Sequence, residues 1–417
     1  MIRKHHWPFL IAMAAVLPGI VVRLAGVPLD PPLAALLSGT SILGASFLLL
    51  WACDAAQADV SQALAIAVVA LIAVLPEYAV DMYFTWQAGK EPAGEVHYAR
   101  YAIANMTGAN RLLIGVAWGA VAFLFWLRRR QAVVIEKPQR MELGFLALAT
   151  AYAFVIPIKG TLAWYDGVVF LGLYAWYMIL AVRRPITECE IDGPAMLLVR
   201  MPSRRRRLAV VALFLTAAVA ILANAEPFCE GLVETGRILH INEFLLVQWL
   251  APIASEAPEF TVALLFAWRG RASLAMGSLI SSKVNQWTLL VGMIPGVFAL
   301  SSGSLAHPMP MGRFQMDEIM LTAAQSLLAV VMLASLRFSV WNALLLFTLF
   351  MGQLVMPVIV AAIPPLAAAV PADMVHPFFS GMYFALALIL FLRRPRAVSD
   401  IVRGLRGGGS SEPGATR

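Results

Sequence analysis

The sequence predicts an all-α polytopic membrane protein, with about twelve transmembrane helices arranged as two inverted five-helix repeats and one extra span at each end. Three observations predict it. The 417 residues are 61% hydrophobic and only 13% charged, with a mean hydropathy of +0.79, about half the charged share of a soluble domain. Apolar runs of roughly 18 residues or more recur along the chain, long enough to cross a bilayer as helices, and the two-residue alternation of an outer-membrane barrel is absent. Finally, one segment occurs twice. Pro76, Glu77, Val80, Phe84 and Trp86 recur in register as Pro258, Glu259, Val262, Phe266 and Trp268, with an aromatic after each Glu.

The elements follow in order. Residues 1–32 hold a basic start and an apolar segment, 7–27, broken by Pro18; with no clean small-x-small cleavage site it reads as an uncleaved helix. The first repeat, 33–182, contains spans at 33–53, 60–86, 98–127, 143–158 and 162–182. A basic linker, 183–207, is too short for a soluble domain; its run Arg204 to Arg207 reads as a stop signal touching anionic lipid. The second repeat, 208–363, contains spans at 208–236, 243–268, 273–300, 319–336 and 340–363. An extra carboxy-terminal span, 378–392, lies within 364–392 and precedes a basic tail, 393–417, whose Gly/Ser-rich end is expected to be disordered.

Five spans per repeat is an odd number, so the second copy enters the membrane from the opposite side. The charges agree with that count. With the amino terminus in the cytoplasm, 23 of the 31 Lys and Arg fall on the cytoplasmic side, among them Arg128 to Arg130 and Arg204 to Arg207, and Arg111 and Lys283 fall inside spans. Such a bias sets orientation, with both termini cytoplasmic and the chain in a cell (inner or plasma) membrane. The net charge of +7 is therefore a topology signal rather than a nucleic-acid surface. Cys53, Cys189 and Cys229 have neither metal nor disulfide spacing, and neither H-E-x-x-H nor the phosphate loop G-x-x-x-x-G-K-[ST] occurs. A zinc protease and an ATP-driven pump are unsupported, no cofactor is implied, and the partners are inorganic cations and the lipid bilayer.

Carboxylates at membrane depth are costly unless they face a protein interior or a watery cavity, so they mark ion paths. Proline inside a span frees a backbone carbonyl in the preceding turn. Bare carbonyls beside Glu77 or Glu259, with Ser255 nearby, supply the oxygens that Ca²⁺ and Na⁺ require. Asp81 lies four residues after Glu77 and Glu256 three before Glu259, close enough to share a helical face. Clustered carboxylates can trade a proton for a metal ion; the alternative is that some of these acids sit at a water boundary or pair with Arg or Lys. Each Pro-Glu helix precedes a helix of small and amide residues. One carries Asn105 and Asn110, the other Ser278, Ser282, Lys283 and Gln286.

The repeated Pro-Glu helix followed by a glycine-asparagine helix resembles the two α-repeats of the cation/calcium exchanger superfamily, the sodium/calcium antiporters. The resemblance implies an antiporter that binds Ca²⁺ and Na⁺, or in some relatives H⁺, alternately at one central site. It places Glu77 and Glu259 on the cation-coordinating (metal) glutamates, Asn105 and Asn110 on the asparagines, and Ser255 and Ser282 on the hydroxyl positions. Departures are visible too. Ile72, Ala73 and Val74 stand where the family has Gly-Thr-Ser, Ser278 and Lys283 stand at asparagine positions, and Glu256 stands at a serine. Lys283 has two readings: a tethered cation that alters coupling, or a salt bridge with Glu256. Arg111 is expected to pair with Asp81 or to reach the bilayer surface.

The sequence thus predicts a secondary-active antiporter exchanging Ca²⁺ or a similar cation for Na⁺ or H⁺. Its site is formed by Glu77, Glu259, Asn105, Asn110, Ser255, Ser278 and Ser282, tuned by Lys283, Glu256 and Asp81. The alternatives are a Na⁺/H⁺ exchanger without Ca²⁺ transport and a transport-inactive sensor or assembly protein. Oligomeric state is not readable from the sequence.

Overall fold

The computed structural model describes residues 6–59, 72, 74–92, 97–183, 193–363, 371–394, 399 and 401. Among them eleven helices are long and apolar enough to cross a membrane. In order, the α-helices of five or more residues are α1 (His6–Ala25), α2 (Pro31–Ala56), α3 (Leu75–Lys90), α4 (Tyr98–Leu112), α5 (Gly119–Arg129), α6 (Arg140–Ala153), α7 (Val155–Lys159), α8 (Trp164–Val182), α9 (Ser203–Leu239), α10 (Glu243–Trp268), α11 (Ala272–Asn285), α12 (Val291–Ser302), α13 (Arg313–Leu333), α14 (Val340–Ala362) and α15 (Val375–Arg393). Two π-helical segments join neighbours into single rods: Leu113–Trp118 between α4 and α5, and Gln286–Leu290 between α11 and α12. Every expected span other than 60–86 coincides with a helix or a helix pair, and α3 covers the second part of 60–86. Most of the amino-terminal half of the 60–86 span, part of the 183–207 linker and the Gly/Ser-rich tail lie outside the described residues.

The helices form two compact units. One comprises residues 1–109, 178–260 and 293–310; the other comprises 110–177, 261–292 and 311–417. Each therefore draws on both sequence repeats.

In the first unit α2 packs along α9, with α1 against both. Small residues make this approach possible. A Cβ at Gly231 would lie 2.7 Å from the backbone nitrogen of Ala35, so only glycine lets α9 come so near. Asn224 of α9 donates to Ser41 Oγ at 3.2 Å, and Ser41 donates to the Val16 carbonyl at 3.0 Å, so buried polar groups stitch the three helices. Phe84, Tyr101, Phe228, Val233 and Val247 form the apolar core around α3, α4, α9 and α10.

At the end of α2, Asp59 accepts a two-pronged bond from Arg206, Nε at 2.6 Å and Nη2 at 2.8 Å, and a third from Arg207 at 3.1 Å. The Arg206 fork holds the Asp59 carboxyl down at about 2. Because the folded value lies below the unfolded value of about 3.9, this contact stabilises the fold above that value and is lost as pH falls through about 2. Thermal unfolding in detergent is expected to show the wild type losing stability between about pH 4 and 2, with a flatter profile for Asp59→Asn.

In the second unit α13 packs on α6 and α15, α14 on α5 and its π segment, and α11 on α6. A two-residue antiparallel bridge pairs Val133 with Phe338 and Val134 with Arg337, tying the α5–α6 and α13–α14 connections together. The outward surface is apolar: Trp7, Leu24, Leu208, Trp341 and Leu392 are all more than 60% exposed. The interior holds Glu77, Asp81, Glu256, Arg111, Lys283 and Glu318. Apolar outside and charged inside is the distribution expected of a protein solvated by lipid.

Candidate cation site

The two Pro-Glu segments are not built alike. Pro76 falls in the first turn of α3, second after the Val74 cap, so its missing N–H belongs to a group that no helix would satisfy. Glu77 consequently sits at the amino-terminal end of a helix, where the dipole favours a negative charge, and it is 4% exposed. Pro258 instead lies inside α10, which also contains Pro252 and continues through both.

Each of these prolines removes an N–H from the ladder, leaving the carbonyls of Gln248 and Ala254 without their usual i+4 donors. A Cβ at Gly108 would meet the Gln248 oxygen at 2.1 Å. Glycine there is what lets α4 lie directly against the Gln248 carbonyl, four residues before Pro252. Ser255, 8% exposed, turns its hydroxyl back to the Ala251 and Pro252 carbonyls at 3.2 and 3.3 Å.

Six of the expected residues belong to the first unit: Glu77, Asp81, Asn105, Ser255, Glu256 and Glu259. Asp81, fully buried, accepts from Asn105 Nδ2 at 3.3 Å, joining α3 to α4. Its second oxygen and the Asn105 side-chain oxygen have no hydrogen-bond partner among the described residues. Two oxygens thus face the interior with unused acceptor capacity, the condition in which a cation or a proton is welcome. Glu256 is 2% exposed, whereas Glu259 is half-buried.

Asn110, Ser278, Ser282 and Lys283 belong to the second unit. Lys283, fully buried, donates to Asn110 Oδ1 at 2.5 Å and to its backbone oxygen at 3.3 Å, and its ammonium lies 4.6 Å from the Trp287 ring centroid. An oxygen that the resemblance assigns to a mobile cation is here held by a covalently attached one. Ser282 is half-buried and Ser278 exposed on α11.

The expectation for Arg111 is corrected. Its guanidinium pairs with Glu318 of α13, the two side chains being 2% and 1% exposed. A carboxylate from α13 meets the guanidinium inside the second unit, so it neither reaches the surface nor depends on Asp81 for its charge partner. Glu318 and His376, whose Nε2 is 3.2 Å from Glu318 Oε1, were not singled out from sequence. The available signal was a glutamate at the very edge of an apolar span. Among the described residues no group of three or more His, Cys, Asp and Glu side chains is gathered as a metal cluster.

An all-helical protein with an apolar exterior, paired helices broken or loosened by proline, and acids, amides and a lysine withdrawn from water is a multi-span membrane transporter for cations. The sodium/calcium exchanger protein family matches residues 31–183 and 209–359, about three quarters of the chain, and the chain belongs to that family. It is 41% identical to an H⁺/Ca²⁺ exchanger, CAX, whose crystal structure superposes with a TM-score of 0.88 over 97% of this chain and 98% of that one. A sodium-calcium exchanger structure, NCX_Mj, is 22% identical with a TM-score of 0.50, covering 77% and 96% of the two chains, a likeness of fold. Membrane protein MJ0091 of Methanocaldococcus jannaschii is 25% identical over 258 residues, 62% of this chain and 77% of that protein. CaxA of Alkalimonas amylolytica, named as an antiporter, is 24% identical over 243 residues, 55% and 69% respectively. The fold class read from the sequence, two inverted five-helix repeats with an extra span at each end, stands with these likenesses.

Proposed function

We propose that this protein exchanges Ca²⁺ for H⁺ by alternating access, with Glu77 and Glu259 as the carboxylates for which the two ions compete. The observation that carries the choice of ions is the likeness, at 41% identity and over nearly the whole of both chains, to a protein named as an H⁺/Ca²⁺ exchanger. The burial of Glu77, Asp81 and Glu256 supports the choice of residues. In this reading the oxygens around a bound cation come from Glu77 and Glu259, from Asn105 and Ser255, and from backbone carbonyls of α10. Asp81, hydrogen-bonded to Asn105, tunes the pair. Both termini lie in the cytoplasm, and residues 33–182 and 208–363 are the two repeats.

Lys283 gives the reading its sharpest consequence. Its ammonium already occupies Asn110, where a second transported cation would need an oxygen. One tethered charge in place of one mobile ion lowers the number of cations moved per cycle. Lysine can also bind and release a proton, so the same contact would link the site to pH. Lys283→Asn is expected to change the ion stoichiometry and to flatten the pH dependence of exchange in vesicles; unchanged values for both remove Lys283 from coupling.

Proteoliposomes test the function. Uptake of radiolabelled Ca²⁺ driven by a pH gradient, with release of protons, is the expected result. Uptake driven only by a Na⁺ gradient assigns Na⁺ as the counter-ion, Na⁺-driven acidification without Ca²⁺ uptake assigns Na⁺/H⁺ exchange, and no flux at all assigns a sensor or assembly role.

A further inference from the structure

The second unit contains a polar seam that the proposed exchange does not use. On α13, Glu318, Thr322 and Gln325 recur at i, i+4 and i+7; on α15, His376, Ser380 and Tyr383 recur at the same spacing, and the two helices pack on each other. Such spacing places each trio on one face. Glu318, Thr322, Gln325 and Tyr383 are fully buried, and the His376 side chain is 11% exposed. Arg111 enters this seam from α4. Its guanidinium pairs with Glu318 Oε2, its backbone carbonyl accepts from Gln325 Nε2 at 3.4 Å, and Tyr383 lies within its electrostatic reach. The Tyr383 hydroxyl and the Gln325 side-chain oxygen have no hydrogen-bond partner among the described residues.

His376 is the titratable member. It faces Glu318 Oε1 at 3.2 Å and, from the same helix, Asp317, which is 4.0 Å from Arg313 and feels Asp373 just before α15. Arg111 bears on it from α4 and the Phe314 ring packs against it, centroids 5.0 Å apart. The guanidinium already neutralises the Glu318 carboxylate, so the seam has no charge to offer a metal ion. An imidazole beside a carboxylate can take a proton.

We infer that His376, with Glu318 as its counter-ion, is a second proton-binding site, separate from the carboxylates of α3 and α10. A proton taken from water onto the imidazole turns a neutral seam into one of charge +1. The imidazolium then competes with Arg111 for Glu318 and slackens the clamp on α4 one residue from Asn110. Loss of the proton to water restores the pair. His376 itself lies on α15, beyond the span of the family match, which ends at residue 359.

Proton binding here stands apart from the exchange reading; only its effect on transport rests on that reading, and the test separates the two. The full-length protein in detergent is unfolded thermally across about pH 5 to 8, the range in which histidine changes charge, with and without Ca²⁺. The same protein in vesicles gives the pH profile of Ca²⁺ uptake. The wild type is expected to show a one-proton step in thermal midpoint that is missing in His376→Gln, and the uptake profile of that variant is expected to move by about a tenfold change in proton concentration. His376→Asn repeats the measurement if the glutamine variant is not monodisperse. Thermal and uptake profiles of the variant that superpose on the wild type overturn the inference. A step abolished by His376→Gln in a protein that moves no Ca²⁺ at any pH sustains the proton site and overturns the exchange reading instead.

Discussion

Glu77→Gln is expected to abolish Ca²⁺ exchange and to remove the Ca²⁺-dependent rise in thermal stability of the purified protein. Glutamine keeps the shape and one oxygen but deletes the charge that balances a divalent cation. Glu77 is 4% exposed at the start of α3, and at that depth water cannot replace it. The expected loss in affinity is at least about 100-fold, or ~2.7 kcal/mol, read from the ion concentration that half-saturates the thermal shift. Glu259→Gln is expected to do the same, from within a continuous α10. A variant that still exchanges Ca²⁺ at the wild-type rate removes that carboxylate from the site.

Arg111→Leu is expected to give the largest loss of stability. It leaves Glu318, 1% exposed, inside the second unit without its guanidinium. Breaking such a pair costs about 3–5 kcal/mol, whereas replacing both partners by apolar groups is often close to neutral. The double variant Arg111→Leu, Glu318→Leu is therefore expected to regain most of the thermal midpoint that the single variant loses. If the single variant unfolds at the wild-type temperature, the pair does not hold α4 to α13.

Much of the fold was legible because lipid imposes a simple rule on composition. The 243–268 span and α10 have the same ends, since polar residues close the apolar run sharply on both sides. Where the ends differ, a partner in the fold explains it. The expected start at 208 stopped short of Arg204 to Arg207, yet α9 begins at Ser203, because Asp59 receives Arg206 and lets the helix run on through the basic cluster. The expected start at 319 came six residues late for α13, because Arg313, Gln315, Asp317 and Glu318 read as a water-facing loop. Arg111, 207 positions away in sequence, draws Glu318 inside.

The candidate site was readable where it is duplicated. A repeated Pro-Glu segment announces itself, so Glu77 and Glu259 stood out, and the amides stood out by following it at matched distances. What Lys283 binds was not readable: a lysine at an asparagine position has no preferred partner until helix packing supplies Asn110 and Trp287. Nor was the division into compact units, each of which takes strands of sequence from both repeats. Repeats are a property of descent along the chain, whereas compactness is decided by which helical faces bury one another.

The two π segments have a consequence of their own. Each begins three residues beyond a residue of the Lys283–Asn110 contact, Leu113 after Asn110 and Gln286 after Lys283. A turn closed by i→i+5 bonds holds one residue more than an α turn, so the rod beyond it is out of phase by about 100°. Both rods carry the same dislocation at the same place, and the contact between them keeps its aim against the rest of each rod only while both dislocations persist. Excising one residue from either wide turn would rotate the remainder of that rod by more than a quarter of a revolution, turning toward lipid a part of its surface that now packs against protein.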